Sequence, residues 1–334
     1  MGSAARNRSL RVVAFGGGTG LPVLLRGLRE TVDDITAIVT VADDGGSSGR
    51  LRAELGIAPP GDVRNCLVAL AGRRRLADVF TYRFEGGVEL RDHSVGNIII
   101  AALSEMSGGF CEGVEQAGRF LRIKGRVLPA AAESLTLIVR YADGSLSRGE
   151  STVREAGRAV STVSAEPPGA PAPEAALKAV RRADLIVLSA GSLFTSTIAA
   201  LLGGGLREAL ADFAGPVVYV ANLMTQPGET AGYTLCDHLR AIAHHAGPVV
   251  TDVLVDSGLP AGRLLRRYGE EGAEPVRVDR AAVERLGVRV HEAPLHAEGT
   301  ESELRHDPAR LAHALHALAR DRRRRTTDAP PPVR

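Results

Sequence analysis

The stretch Val12-Val13-Ala14-Phe15-Gly16-Gly17-Gly18-Thr19-Gly20-Leu21 constrains this chain more than any other. A β-rich apolar run empties into four glycines and a threonine. An apolar, helix-compatible segment (Val23, Leu24, Leu25, Leu28) follows. That order is a strand, a tight turn and a helix N-terminus. Glycines bring backbone N–H groups close to an anion without Cβ interference, and the helix dipole adds partial positive charge at the same spot. The turn is a candidate phosphate cradle, with Gly17, Gly18, Thr19 and Gly20 as its binding residues. The two commonest phosphate motifs do not describe it. The spacing G-x-G-x-x-G needs a glycine where Leu21 stands, and the P-loop needs Lys-Ser/Thr where Leu21-Pro22 stand. A tight strand–helix connection without a ligand is the alternative.

The alternation of strand and helix continues along the chain. Residues 10–15, 35–42, 185–188, 216–221 and 249–255 read as strands. Residues 21–29, 63–71, 96–106, 175–182, 196–202, 233–245 and 309–320 read as helices. Residues 134–141 and 146–149 read as a hairpin, with Asp143-Gly144 as its turn signal. Strands alternating with helices predict a three-layer, doubly wound, Rossmann-like α/β fold with a mainly parallel sheet, here carrying a small hairpin insertion. Residues 10–320 form one domain in this reading. Residues 1–9 and the basic, Pro-rich residues 321–334 are disordered ends.

Bulk composition excludes little. The 334 residues are 44% hydrophobic and 24% charged with a net charge of +2, ordinary values for a soluble globular protein. The run Arg322-Arg323-Arg324-Arg325 reads as a solvated tail rather than a contact for nucleic acid or anionic lipid. Cys66, Cys111 and Cys236 form no CxxC or zinc pattern, which fits a reducing cytosol. The polar first nine residues do not read as a signal peptide. Residues 185–206 hold no charge until Arg207, yet their serines, threonines and four glycines read as strand, loop and helix, not as a membrane span. The expected location is the cytoplasm.

Ligands of doubly wound sheets bind at the carboxyl ends of the strands, near the topological switch point. Four polar loops follow predicted strands, as a site on that rim requires: the glycine turn, Asp43 to Arg50, Gly191-Ser192, and the loop opening at Asn222. Asp43 and Asp44 can accept from ribose hydroxyls or hold Mg²⁺ beside a phosphate; turn formation is the bland alternative. Ser47, Ser48 and Arg50 add phosphate-compatible donors. Asp62 reads as an N-cap or equally as a functional carboxylate, with Arg64 and Asn65 in the helix's first turn within reach of a ligand. His93 and Asn97 open another helix and can face a polar cleft, without a third member for a nucleophilic triad. Asn222, Thr225 and Gln226 suit hydrogen bonding to a sugar or base. Tyr268 can stack on a base, and Arg305 can clamp a diphosphate; either can equally be an ordinary surface residue.

Five strings in order carry a resemblance: Gly16 to Leu21, Val41 to Leu51, Pro59 to Leu67, His93 to Asn97, and Asn222 to Thr230. Together they are similar to the YvcK proteins, the gluconeogenesis factors of the CofD-like superfamily, over residues 10–319. The resemblance implies a cytoplasmic bacterial protein with a CofD-like α/β fold. Such proteins are implicated in cell shape and wall synthesis during gluconeogenic growth, with a protein partner in that process. Members bind UDP-sugars, notably UDP-N-acetylglucosamine, without a firmly assigned reaction. The CofD branch instead transfers a phospholactyl-type group from a guanosine diphosphate adduct to a deazaflavin. Its metal-associated aspartates fall at Asp43 and Asp44, and the UDP-sugar-associated Tyr and Arg fall at Tyr268 and Arg305. A homo-oligomer is compatible with this reading. The chain departs from the pattern at Ala190, Phe194, Ala199-Ala200, Gly203-Gly204-Gly205 and Asp92. A chain with no Trp and 4% aromatic residues offers little for a deazaflavin slot, which favours a UDP-sugar-binding regulatory protein, a sensor of wall-precursor supply, over a transferase.

Overall fold

Short β-branched runs make the main sheet because helices cover both of its faces. The computed structural model describes residues 9–87, 90–258, 262–297 and 303–327. Its strands are β1 (Arg11–Gly16), β2 (Asp34–Val39), β3 (Arg126–Pro129), β4 (Thr136–Tyr141), β5 (Leu146–Arg148), β6 (Val160–Glu166), β7 (Leu185–Leu188), β8 (Val217–Val220), β9 (Asp252–Asp256) and β10 (Arg289–Ala293). Seven of them form a parallel sheet in the order β10-β9-β8-β7-β1-β2-β3. Every residue of β7 and β8 is buried, as is all but the first of β1 and of β2. These runs read as near-continuous apolar segments for that reason.

The winding direction reverses once. The chain lays β2 and β3 outward on one flank of β1, then returns to place β7 on the other flank and proceeds to β10. Val12 therefore pairs with Ile35 of β2 on one side and Leu185 of β7 on the other. The switch point lies between β1 and β7, where outgoing loops diverge and leave a crevice. Arg11 seals the amino end of this junction, its N–H and guanidinium donating to Asp184 at 2.9–3.0 Å.

The hairpin of β4 and β5 has a third member. β6 joins β4 antiparallel, giving a small sheet ordered β5-β4-β6. Its burial follows no strict period of two, which hides it in the sequence. The helix expected over 196–202 is a wide π turn at Leu193–Ile198 followed by a tight 3₁₀ turn at Ala199–Leu201, all of it buried. The last helix runs Pro308–Thr327, seven residues past the expected end at Arg320, because arginine is a good helix former and no Gly or Pro intervenes. Residues 328–334 and 1–8 of the expected disordered ends lie outside the described residues. Among the described residues, no helix is long and apolar enough to cross a membrane.

Candidate functional site

The glycine turn and the loop after β7 touch at the switch point. A Cβ placed on Gly20 would sit 1.2 Å from the Ala190 carbonyl oxygen, so only glycine allows the two backbones this approach. Helix Gly20–Thr31 starts there with Thr19 as its N-cap residue. The Thr19 side chain makes no capping bond and the residue is exposed, which leaves the N–H groups of Gly20 and Leu21 without an intrahelical partner. Across the crevice, Ser192 Oγ donates to Gln226 Oε1 at 2.9 Å.

These elements line a cleft of about 370 Å³. The structure brings nine of the expected residues to it: Gly18, Thr19 and Gly20 from the turn; Gly191, Ser192, Asn222 and Gln226 from the next two loops; and Tyr268 and Arg305 from the C-terminal third. Asn222 braces the wall. It accepts from Tyr219 Oη at 2.7 Å and donates to the Gly191 carbonyl at 2.7 Å. Tyr268 and Arg305 meet through a strap at residues 303–307. Tyr268 Oη accepts from Leu304 N–H at 3.1 Å, and backbone bonds of Ala297 to Arg305 (2.8 Å) and Asp307 to Leu295 (2.6 Å) pin the strap to the loop after β10. The Arg305 guanidinium pairs with Glu303 and stays half exposed, open to exchange for a ligand phosphate.

A second, acidic compartment of about 240 Å³ adjoins the cleft, and Glu150 and Gln226 line both. Asp43, Asp44 and Glu229 line it too. Asp43 Oδ1 accepts from Gly45 N–H and Asp44 Oδ1 from Ser151 N–H, each at 2.9 Å. One carboxylate oxygen of each aspartate is thus spent on the fold. Among the described residues, no three Asp, Glu, His or Cys side chains converge as a metal cage. Mg²⁺ commonly takes one or two carboxylates and completes its shell with phosphate and water. The donors at Asp43 and Asp44 fit an ion bridged to a ligand phosphate, not an all-protein site. Burial pushes the Glu150 carboxyl up to about 8, and the carboxylates of Asp62, Asp43, Glu229 and Asp44 push the same way.

Asp62 corrects the sequence reading. Helix Gly61–Leu70 begins after Pro60 without a side-chain cap, and Asp62 lies inside its first turn. Its Oδ2 accepts from Gly18 N–H at 2.8 Å. A carboxylate thus already holds one amide of the phosphate cradle. Burial lifts Asp62 to about 6; the Gly18 bond and Arg64 oppose this and Asp43 reinforces it. Gly17 packs against Asp62 and Thr40 and does not line the cleft.

Six further expected residues lie away from both cavities. Ser47, His93 and Asn97 form a buried cluster: Ser47 Oγ lies 3.0 Å from His93 Nδ1 and accepts from Asn97 Nδ2 at 3.1 Å. Helix Val95–Ser107 opens over Ser47 and closes it from the cleft. Arg64 is buried with only Nη2 bonded, to Asn65 Oδ1 at 2.7 Å; Nε and Nη1 find no partner among the described residues. Burial, with Arg83, draws its guanidinium down to about 10, against the pull of Asp62 and Asp43. Thr225 is buried too, exchanging bonds with the backbone of Glu274 at 2.7 and 3.0 Å. It anchors its loop rather than facing a ligand. Glu150, Glu229, Ser196 and His306 join the two cavities without having been singled out. His306 had a usable signal in its adjacency to Arg305, and Glu229 in its place within the string Asn222 to Thr230.

Known proteins match this chain along most of its length. The family described as 2-phospho-L-lactate transferase CofD matches residues 12–296. The gluconeogenesis factor of Halalkalibacterium halodurans is 44% identical over 306 residues, spanning 91% of this chain and 95% of that protein. The gluconeogenesis factor of Bacillus subtilis is 42% identical over 314 residues, spanning 93% and 98%. A crystal structure of a Bacillus halodurans protein superposes with a TM-score of 0.90 at 43% identity, covering 92% of this chain and 100% of that one.

Proposed function

The chain belongs to the gluconeogenesis-factor family and carries a CofD-type domain, and from that premise we propose that it is a regulatory protein that binds a UDP-sugar. UDP-N-acetylglucosamine is the ligand in this reading. Its bound state links central carbon metabolism in gluconeogenic growth to cell shape and wall synthesis, through a protein partner in the cytoplasm. One observation carries the ligand class: a glycine turn at a helix N-terminus, Ser192 and Arg305 converge on a single cleft at the switch point, where a diphosphate suits such a fold. The adjoining carboxylates suit sugar hydroxyls, which donate hydrogen bonds to them.

Asp62 sets the terms of binding. A phosphate arriving at Gly18 meets a carboxylate, so it requires a proton on Asp62, displacement of that side chain, or a divalent cation between them. Asp43 and Asp44 would hold Mg²⁺, which would screen this repulsion. A second reading, metal-assisted transfer of a phosphorus-containing group, rests on the acidic compartment that opens beside the cleft.

Calorimetric titration of the whole chain with UDP-N-acetylglucosamine, with and without Mg²⁺, tests both readings, with GDP and NAD as controls. Selective binding, strengthened by Mg²⁺ and with intact ligand recovered by mass spectrometry, is the expected result. A preference for GDP, or a chemically changed ligand, would replace the sensor with the transferase.

A further inference from the structure

The cleft has two unlike ends. Toward β2 it opens into the carboxylates of Asp43, Asp44 and Glu229. The rest of its lining includes the apolar Leu223, Met224 and Leu304, the last bonded through its N–H to Tyr268 Oη. The Arg267 guanidinium lies 5.6 Å from the Tyr268 ring centroid and backs the ring with a cation–π contact. His306 completes this end. It is 8% exposed, lines the cleft, and its Nε2 has no partner among the described residues.

The backbone that carries the imidazole is pinned. The strap bridges residue 306 to residue 296, whose Nδ1 lies 2.7 Å from Asp256 Oδ2 at the end of β9. Asp256 Oδ1 is spent on the N–H groups of Leu295 (2.6 Å) and His296 (3.2 Å). Burial lowers His306 to about 4, opposed by Asp256 and assisted by His296, so the ring is neutral at physiological pH. A neutral imidazole offers one donor and one acceptor and repels neither. A buried polar atom left without a partner is costly; the His306 Nε2 is closed off from solvent, and a small turn of the ring as a ligand enters would give it one.

We infer that the nucleoside end of the ligand lies over β8 and β9 with the edge of its base read by His306, while the group beyond the diphosphate points into the acidic compartment. This rests on the nucleotide-sugar reading above and adds to it the direction of the ligand and a specificity residue. A base has apolar faces for Tyr268 and the leucines and a polar edge for a neutral imidazole. The imide edge of uracil sets a donor between acceptors, which matches one imidazole nitrogen accepting or the other donating. A hydroxyl-rich sugar matches the carboxylates instead.

The test is calorimetry on the full chain with UDP-N-acetylglucosamine, UDP and GDP, comparing wild type, His306→Leu and His306→Asn. His306→Leu is expected to weaken UDP-N-acetylglucosamine and UDP alike by about tenfold and to bring UDP and GDP within about threefold of each other. His306→Asn, which keeps a donor and an acceptor, recovers most of the loss. If UDP is unchanged while the UDP-sugar weakens, the sugar lies at this end and the inference is overturned; unchanged binding of all three overturns it equally. Nitrogen shifts of the His306 ring in the wild-type chain give a second answer independent of how the variants fold. They move on adding UMP and stay fixed on adding N-acetylglucosamine 1-phosphate; the opposite pattern reverses the ligand. A wild-type chain that binds no uridine nucleotide removes the nucleotide-sugar reading itself, a failure separate from these.

Discussion

The loops after β1 and β2 look alike in sequence and behave as opposites. Each leaves a buried apolar strand, each is rich in glycine, and each feeds a helix, Gly20–Thr31 in one case and Gly46–Leu55 in the other. The first opens onto the cleft with Thr19 exposed. The second spends much of its polar chemistry on the fold: one oxygen of Asp43 goes to Gly45 and one of Asp44 to Ser151, and Ser47 lies buried with His93 and Asn97, which leaves only the remaining carboxylate oxygens to the acidic compartment. Sheet position explains the contrast. β1 borders β7, whose outgoing chain winds the other way, so a crevice forms; β2 lies between β1 and β3 on one winding, and helices Gly61–Leu70 and Val95–Ser107 roof it over. Glycine and polar content alone do not reveal whether a turn's amides are free.

Three substitutions probe this contrast. Gly20→Ala drives a methyl group into the Ala190 carbonyl, backbone against backbone, and should cost at least about 3 kcal/mol in a denaturant melt. Wild-type stability in that variant would mean the two loops are not in contact. Asp62→Asn keeps an acceptor for Gly18 N–H and removes the charge. Asp62 sits near 6 when folded against an ordinary 3.8, so its proton favours the folded chain below about pH 4 and that advantage vanishes as pH rises through 6. Relative to Asp62→Asn, the wild type should lose about 2–3 kcal/mol between pH 4 and 6.5. The variant should also bind UDP-N-acetylglucosamine more tightly without Mg²⁺. Parallel pH curves for the two chains would show that Asp62 is solvated. Gly46→Ala in the second loop meets nothing within 4 Å but must adopt a φ of +47°. It should cost only about 1 kcal/mol, with nucleotide affinity untouched. An affinity loss there would mean that the Gly46 turn itself holds Asp43 and Asp44 in place for the ligand.

The parallel sheet was legible because its inner strands are continuous apolar runs bounded by glycine and polar turns. The edge strands β3 and β10 were not, since both are only partly buried and lack a continuous apolar run. Within the site, residues on loops at the switch point were readable from strand endings, which is why Gly18 to Gly20, Ser192, Asn222 and Gln226 converge. Arg64, His93 and Asn97 carry the same polar chemistry, but burial depends on how later helices pack, and one sequence holds no sign of that. The capping reading of Asp62 fails because a carboxylate at a helix start usually caps its own helix, whereas here a backbone amide forty-four residues away claims it. Glu150 was invisible, since only the fold brings the end of a hairpin beside the cleft.

The clasp between Arg11 and Asp184 spans 173 residues, so the two strands that make the crevice are far apart along the chain. Closing so long a loop comes late in folding, because chain entropy must be lost before the pairing returns anything. A half-assembled sheet of β1, β2 and β3 therefore has an open strand edge and no ligand site. A ligand that recognises only the completed junction cannot guide its assembly. Its whole binding free energy instead appears as resistance to global unfolding, and the amides shared by β1 and β7 should then exchange with solvent only when the entire domain opens.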